Sequence, residues 1–204
     1  MAEERMRVLV VGASGTIGRA IVAELEPRHD IIRVGKSSGE LQTDITDPAA
    51  IKGMYEEAGS VDAVVSATGK VNFAPFADMT AEDYALGLTD KLMGQVNLVL
   101  IGRDYVSQGG SFTLTTGVLD TDPIVQGTSA SMVNGAINAF TAAAAIEMPR
   151  GHRINTVSPG VIEEAMDVYA PYFRGFEAVP AARAALAYAK SVEGAQTGRV
   201  YEVH

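Results

Sequence analysis

Cysteine is absent from the 204 residues. That excludes disulfides, thiolate metal ligands and a cysteine nucleophile. Histidine is scarce: His29, His152 and His204 are the whole set, and no two lie close in sequence, so no metal-ligand cluster is expected. Basic runs are missing as well. Lys and Arg total 16 against 25 Asp and Glu, a formal charge of −9. An acidic surface repels phosphate backbones, so nucleic acid is not an expected partner. No stretch reaches the roughly 18 apolar residues of a membrane span. The opening Met1-Ala2-Glu3-Glu4-Arg5-Met6-Arg7 is too charged, and its apolar run too short, for a secretory signal. Cytoplasm is the expected location, with no membrane partner.

What is present is an apolar fraction of 47% beside 20% charged residues, the balance of a soluble globular chain. The length suits one domain over residues 1–204, and no repeat, low-complexity stretch or linker divides it. Strand and helix patterns alternate throughout. Met6–Val11 is a continuous apolar run closed by Gly12, as in a strand buried on both faces. Thr16–Leu25 has helical apolar spacing and is ended by Pro27. Asp30–Val34 is the second strand, Glu40–Thr43 a short extended piece, and a helix begins at Thr46-Asp47-Pro48 and runs to about Ala58. Val61–Ser66 is a further strand. Thr80–Asp83 is a capping-box candidate opening a long helix to about Ser107, after which Gly109-Gly110 breaks the chain. Ser111–Thr115 is a strand, Gly127–Glu147 an Ala-rich helix and Arg153–Val157 another strand. Helices around Glu164–Arg174 and Pro180–Ser191 precede a last strand, Gly198–Val203. About seven strands separated by helices imply an α/β protein: a Rossmann-type doubly wound parallel sheet with helices on both faces.

Gly12-Ala13-Ser14-Gly15-Thr16-Ile17-Gly18 follows a predicted strand and opens a predicted helix, the context in which a glycine motif signals dinucleotide binding. Gly12 permits a tight turn, Gly15 lets a pyrophosphate approach the backbone, and Gly18 lets the helix pack on the strand. The helix N-terminus offers free N–H groups to phosphates. An NAD site places Asp or Glu at the end of the next strand, on the ribose 2′-OH. Here that end reads Val34-Gly35-Lys36-Ser37-Ser38, with no carboxylate before Glu40. A cation and two hydroxyls suit a 2′-phosphate, so NADP(H) is expected in preference to NAD(H). The plainer alternative is an exposed lysine in a polar loop.

These landmarks, in this order, make the chain resemble the short-chain dehydrogenase/reductase family along nearly its whole length. The glycine turn is similar to the family's cofactor loop, although its spacing departs from the commoner form. The resemblance implies that Asp44, with Ile45 beside it, meets the adenine edge. Ala67, Thr68 and Gly69 stand where the family has its Asn-Asn-Ala-Gly turn along the ribose. Pro159, Gly160 and Val161 follow a strand similar to the one that leads the family's Pro-Gly loop to the nicotinamide.

The family's catalytic set is a Ser at the end of the fifth strand, then Tyr-x-x-x-Lys, with an Asn on the preceding helix. Thr116 stands at the Ser position. At the matching spacings Ser129 replaces Tyr and Val133 replaces Lys, and no Tyr or Lys occurs between Tyr105 and Tyr169. Lys91 stands at the Asn position. A serine hydroxyl is too weak an acid to replace a lysine-assisted tyrosine, which marks an atypical branch. One reading has Thr116 and Ser129 holding a substrate oxygen while Lys91, or a water, donates the proton. Another has Lys91 facing solvent or paired with Asp90 or Asp120. Glu163 and Glu164 are read as helix-start residues. Tyr169, Tyr172, Phe173 and Phe176 fall where the family has a mobile lid, either walling an apolar substrate or packing the lid down.

By the same resemblance, the long helix and the Ala-rich helix, with small residues Ala130, Gly135, Ala142 and Ala145, imply a homodimer or homotetramer. The functional expectation is an NADP(H)-dependent oxidoreductase for a small carbonyl or alcohol. Its alternative is a catalytically degenerate NADP(H)-binding sensor or scaffold. A lyase or isomerase on the same scaffold is a third.

Overall fold

The computed structural model describes residues 5–204. Its strands are β1 (Arg7–Val11), β2 (Asp30–Gly35), β3 (Leu41–Gln42), β4 (Val61–Ser66), β5 (Val106–Thr115), β6 (Arg153–Pro159) and β7 (Val200–Val203). They form one sheet in the order β3-β2-β1-β4-β5-β6-β7, with every pairing parallel. The helices are α1 (Thr16–Leu25), α2 (Pro48–Ala58), α3 (Ala81–Leu86), α4 (Gly94–Gly102), α5 (Thr128–Glu147), α6 (Met166–Tyr169) and α7 (Ala181–Glu193). The expected doubly wound architecture is what the chain adopts.

Successive strand residues point to opposite faces, and both faces are apolar because both are covered. Val8, Val10, Ala63 and Val65 pack against Ile21 and Leu25 of α1 and Ala185 and Tyr188 of α7. Leu9, Val11, Val64 and Phe112 pack against Ile51 and Tyr55 of α2, Leu98 of α4 and Ile137 of α5. A third apolar cluster, with Val118, Leu119, Val161 and Phe173 at its centre, is built from residues that follow the carboxyl ends of β5 and β6. It walls the region described below.

Several boundaries differ from the sequence expectation. The helix expected from Thr80 to Ser107 is three pieces: α3, a π-helical segment over Gly87–Met93, and α4. The Thr80–Asp83 capping box is formed at its start. The Thr89 hydroxyl donates to the carbonyl of Ala85 at 2.8 Å, the kind of back-bonding that disturbs an α-helical ladder. The helix stops at Gly102, where any Cβ would run into the Tyr55 ring, 2.7 Å from its Cζ. Apolar periodicity continues past that point through Tyr105 and Val106, so it conceals the stop. Gly109-Gly110 is not a break before a strand. β5 begins at Val106, which pairs with Val61, and the register then slips so that Ser111 pairs with Ala63. The glycines lie in the resulting bulge, Gly109 at φ +76°. The expected helix from Glu164 to Arg174 shrinks to a 3-10 turn at Glu163–Ala165 followed by α6. Of the small residues assigned to one face of α5, Ala130 is buried inward while Ala142 is exposed.

Beneath the carboxyl edge, one buried hydroxyl chain ties three elements. The Thr115 hydroxyl donates to the carbonyl of Ser66 at 2.5 Å and accepts from the Tyr188 hydroxyl at 2.6 Å. Tyr188→Phe removes one of these bonds from a fully buried site. We expect it to cost about 1 kcal/mol, read as a lower midpoint in urea unfolding with an unchanged slope.

Candidate cofactor and substrate cleft

The glycine turn is anchored to its neighbouring strand. The N–H groups of Gly12 and Ala13 both donate to the carbonyl of Val34, at 2.8 and 3.2 Å. Gly12 takes φ +85°, and a Cβ there would lie 2.5 Å from the carbonyl oxygen of Ala67. A Cβ on Gly18 would collide with the backbone of Gly12. Both positions therefore need glycine for close backbone approach, as the motif predicts. Helix α1 starts at Thr16 after the extended Gly15, with no cap from the side chain of its N-cap residue, as is also the case for α4, α5, α6 and α7. Its first N–H groups are left to an external acceptor.

Two hollows open on either side of this turn. The smaller, about 110 Å³, is bordered by Gly12, Lys36, Asp44, Ile45, Thr68 and Asp90. The larger, about 420 Å³, is bordered by Thr16, Ile17, Ala67, Gly69, Lys91, Thr116, Pro159, Gly160 and Val161, with the third apolar cluster as its outer wall. Most residues expected to meet a dinucleotide border one of the two. Gly15, Gly18, Ser37, Ser14 and Ser38 do not. Ser14 and Ser38 line a separate depression with Arg19 and Arg33, where the Ser38 hydroxyl donates to that of Ser14 at 3.2 Å. Ser37 is exposed.

Lys36 and Asp44, given separate roles by the sequence, meet as an ion pair at 2.7 Å. Asp44 also accepts the hydroxyl and N–H of Thr46, at 2.7 and 3.0 Å. Lys36 first, then Thr46, holds its carboxyl well below the usual range. Ile45 is buried, and a Cβ on Gly94 would lie 2.6 Å from its Cδ1, so the start of α4 rests on it.

Lys91 is half-buried on the wall of the larger cavity and is paired with no acid. Its ammonium donates to the carbonyl of Thr116 at 3.2 Å. Among the described residues no carboxylate lies within 4.0 Å of it. Asp90 instead accepts the N–H of Lys70 at 2.7 Å, and Asp120 accepts the amide of Asn138 at 2.5 Å. Burial pushes the Lys91 ammonium down to about 8, against the opposing charge of Asp120. The Thr116 hydroxyl donates to the carbonyl of Val157 at 3.3 Å. The structure thus brings Lys91 and Thr116 together at one cavity. Ser129 is not at that cavity's surface. It is fully buried, its Oγ has no protein partner, and it faces the π-helical segment, where a Cβ on Gly87 would lie 3.0 Å away.

Residues that the sequence reading did not single out also build the site. Asn134, 2% exposed, lines the cavity and donates to the carbonyl of Gly117 at 3.1 Å. Phe73 meets Tyr169 and Tyr172 across the cavity mouth, ring centres 6.1 and 6.4 Å away. Of the four lid aromatics, Tyr169 and Phe173 line the cavity while Tyr172 and Phe176 pack beside it. Glu163 and Glu164 open a 3-10 turn rather than the expected helix, and Glu164 accepts the Ala181 N–H that opens a different one, α7. Asn134 had a signal, as an amide on a helix of small residues. Phe73 had none.

Comparison with known proteins places the family and the fold. A family model described as enoyl-(acyl carrier protein) reductase matches residues 1–198. The chain belongs to the short-chain dehydrogenase/reductase family. Its fold superposes with a TM-score of 0.96 on the protein lin1944 from Listeria innocua, 54% identical, over 98% of this chain and 100% of that one. An uncharacterized oxidoreductase of Methylorubrum extorquens is 29% identical over 169 residues, 79% of this chain and 65% of that protein. The chain therefore spans slightly less than two thirds of that relative's length. A small-chain dehydrogenase solved in complex with NADPH shares the fold at a TM-score of 0.87 and 24% identity, covering 98% and 97% of the two chains. Among the described residues no helix is long and apolar enough to cross a membrane.

The buried ammonium has a measurable consequence for stability. Lys91 binds its proton more weakly folded than unfolded, so below about pH 8 its burial opposes folding. That penalty fades as pH rises from about 8 toward the model-compound value of 10.5. Lys91→Met is expected to be more stable than the parent at pH 7, by at most about 3 kcal/mol. The gap should narrow by pH 10, as read by chemical denaturation of both proteins at each pH.

Proposed function

We propose that this chain is an NADP(H)-dependent oxidoreductase acting on a small carbonyl or alcohol substrate through a rearranged proton-handling site. The observation that carries this reading is the Lys91 ammonium, half-buried on the wall of the cavity that adjoins the glycine turn and held there by the carbonyl of Thr116. The cradle fits a dinucleotide: Gly12 admits no Cβ, and the N-terminus of α1 is uncapped. The N–H groups of Thr16 and Ile17 would hold the diphosphate. Lys36, with Ser37 and Ser38, would hold a 2′-phosphate, and Asp44 and Ile45 would border the adenine. Ala67, Thr68 and Gly69 would lie along the ribose, and Pro159, Gly160 and Val161 beside the nicotinamide.

A bound nicotinamide exchanges hydride with the substrate carbon. The chain's part is to move the proton. Near neutral pH Lys91 is mostly protonated and can donate to an oxygen that gains charge. Thr116 orients it through its carbonyl and sets its hydroxyl beside the same space. Ser129, sealed under the π-helical segment, is left with a packing role. That sealing, with the buried Val133, also favours a second reading, a binding protein without turnover. The exposed Met93 and Leu100 of the segment before β5, with Met132 and Ile146 of α5, support a homodimer or homotetramer covering this face.

NADPH should raise the melting temperature at lower concentration than NADH, and Lys36→Ala should remove most of that difference. Carbonyl-dependent NADPH oxidation should fall as pH rises through about 8, and Lys91→Met should abolish both the rate and that limb. Tight NADPH binding with no oxidation by any carbonyl tested would establish the second reading.

A further inference from the structure

Lys91 enters the cavity from a segment built to hold it. The π-helical turn over Gly87–Met93 is a rare conformation that collects at functional sites. Gln95, fully buried, locks that turn to the end of β5. Its Nε2 donates to the carbonyls of Lys91 and Thr115, at 3.1 and 2.9 Å, and its Oε1 accepts the Thr115 N–H at 2.8 Å. Gly69, at φ +129°, lets the lysine stem pass. A Cβ there would be 2.5 Å from Cγ of Lys91 and 2.8 Å from its Cβ.

The ammonium so placed is under-used. An ammonium has three N–H donors, and among the described residues the carbonyl of Thr116 is the one acceptor it has. Around it the wall is Val71, Phe73, Val118, Val161, Tyr169 and Phe173. A half-buried cation with donors facing the cavity and no acidic partner gains from a negative ligand there. A single ammonium in an apolar wall suits one negative charge, not a phosphate dianion. Two donors on one nitrogen suit two adjacent oxygens.

We propose that the cavity takes a compact 2-oxo carboxylate with an apolar or aromatic side chain, or the matching 2-hydroxy acid, and that the Lys91 ammonium is the subsite for its carboxylate and neighbouring oxygen. This rests on the reading of the cleft as a carbonyl-reducing site and adds the class of substrate. The apolar side chain lies against Phe73, Tyr169 and Phe173. Other titratable groups acting there are Tyr169, in the lid, and Asp120, whose charge reaches Lys91 from the loop after β5.

The test is calorimetric titration with phenylglyoxylate and with its methyl ester, with and without saturating NADP+, in which state no reduction can occur. At pH 7 the acid should bind at least about tenfold tighter than the ester. That ratio should fall toward one in Lys91→Met, and in the parent protein at pH 9.5. Equal affinities at pH 7, no binding of either compound at millimolar concentration, or an acid preference that survives both Lys91→Met and pH 9.5 would overturn the proposal. The pH series needs no variant, so it decides the matter even where Lys91→Met fails to fold. Failure of NADP+ to bind is seen in its own titration and counts against the cofactor reading alone.

Discussion

Strand β1 is flanked by β2 on one side and β4 on the other, and the chain leaves the sheet in opposite directions from there. Connections that part in this way leave a crevice at the carboxyl ends of the strands. Everything at the site depends on how closely backbone can approach backbone in that crevice. Gly12 sits against the carbonyl of Ala67, and Gly69 against the stem of Lys91. A side chain at either place would push the turns apart. The hollows on the two sides of the glycine turn exist because those two contacts are made without side chains.

The charges at the cleft divide by exposure. Lys36 and Asp44 form an ion pair in which the lysine side chain is 71% exposed. Such a pair is screened and adds little to stability, so it is readily rearranged around a ligand. Lys91 is the opposite case. It is half-buried on the cavity wall, has no acidic partner within 4.0 Å among the described residues, and is held by a backbone carbonyl. A group with perturbed proton affinity in a cleft is a candidate for chemistry or binding. The residues that α5 offers in the usual catalytic places, Ser129 and Val133, are buried and contribute no charge. The cation at this cavity comes from the opposite wall, on a turn wound differently from the helix around it.

The mouth of the larger hollow is closed by contacts between two connections. Phe73 follows β4, and Tyr169 and Tyr172 follow β6; their rings meet across the opening. The segment that carries the tyrosines is tethered at its base, where Ile162 bridges to Val179 and Glu164 caps α7. The apolar character of the wall follows from the same packing, since the rings that shut the mouth also face inward.

Local chemistry was enough to read a good deal of this from the sequence. Continuous apolar runs such as Val8–Val11 mark strands covered on both faces, the Thr80–Asp83 cap marks a helix start, and the spacing of Gly12, Gly15 and Gly18 marks a turn made for phosphate. Each depends on neighbours within a few positions, so each survives without knowledge of the fold. The halt of α4 at Gly102, the tie of the π winding to β5, the path of the Lys91 stem and the inward turn of Ser129 involve residues far away in the chain: Tyr55, Thr115, Gly69 and Gly87. A helical side chain swings by about 100° per position, so which one of Lys91, Ser129 or Asn134 reaches a cavity is settled by how the helices are packed. The sequence alone determined the sheet, its order of elements and the cofactor turn. Tertiary packing decided which cation lines the larger cavity, because only the packing of distant elements could half-bury Lys91 there with no acid beside it.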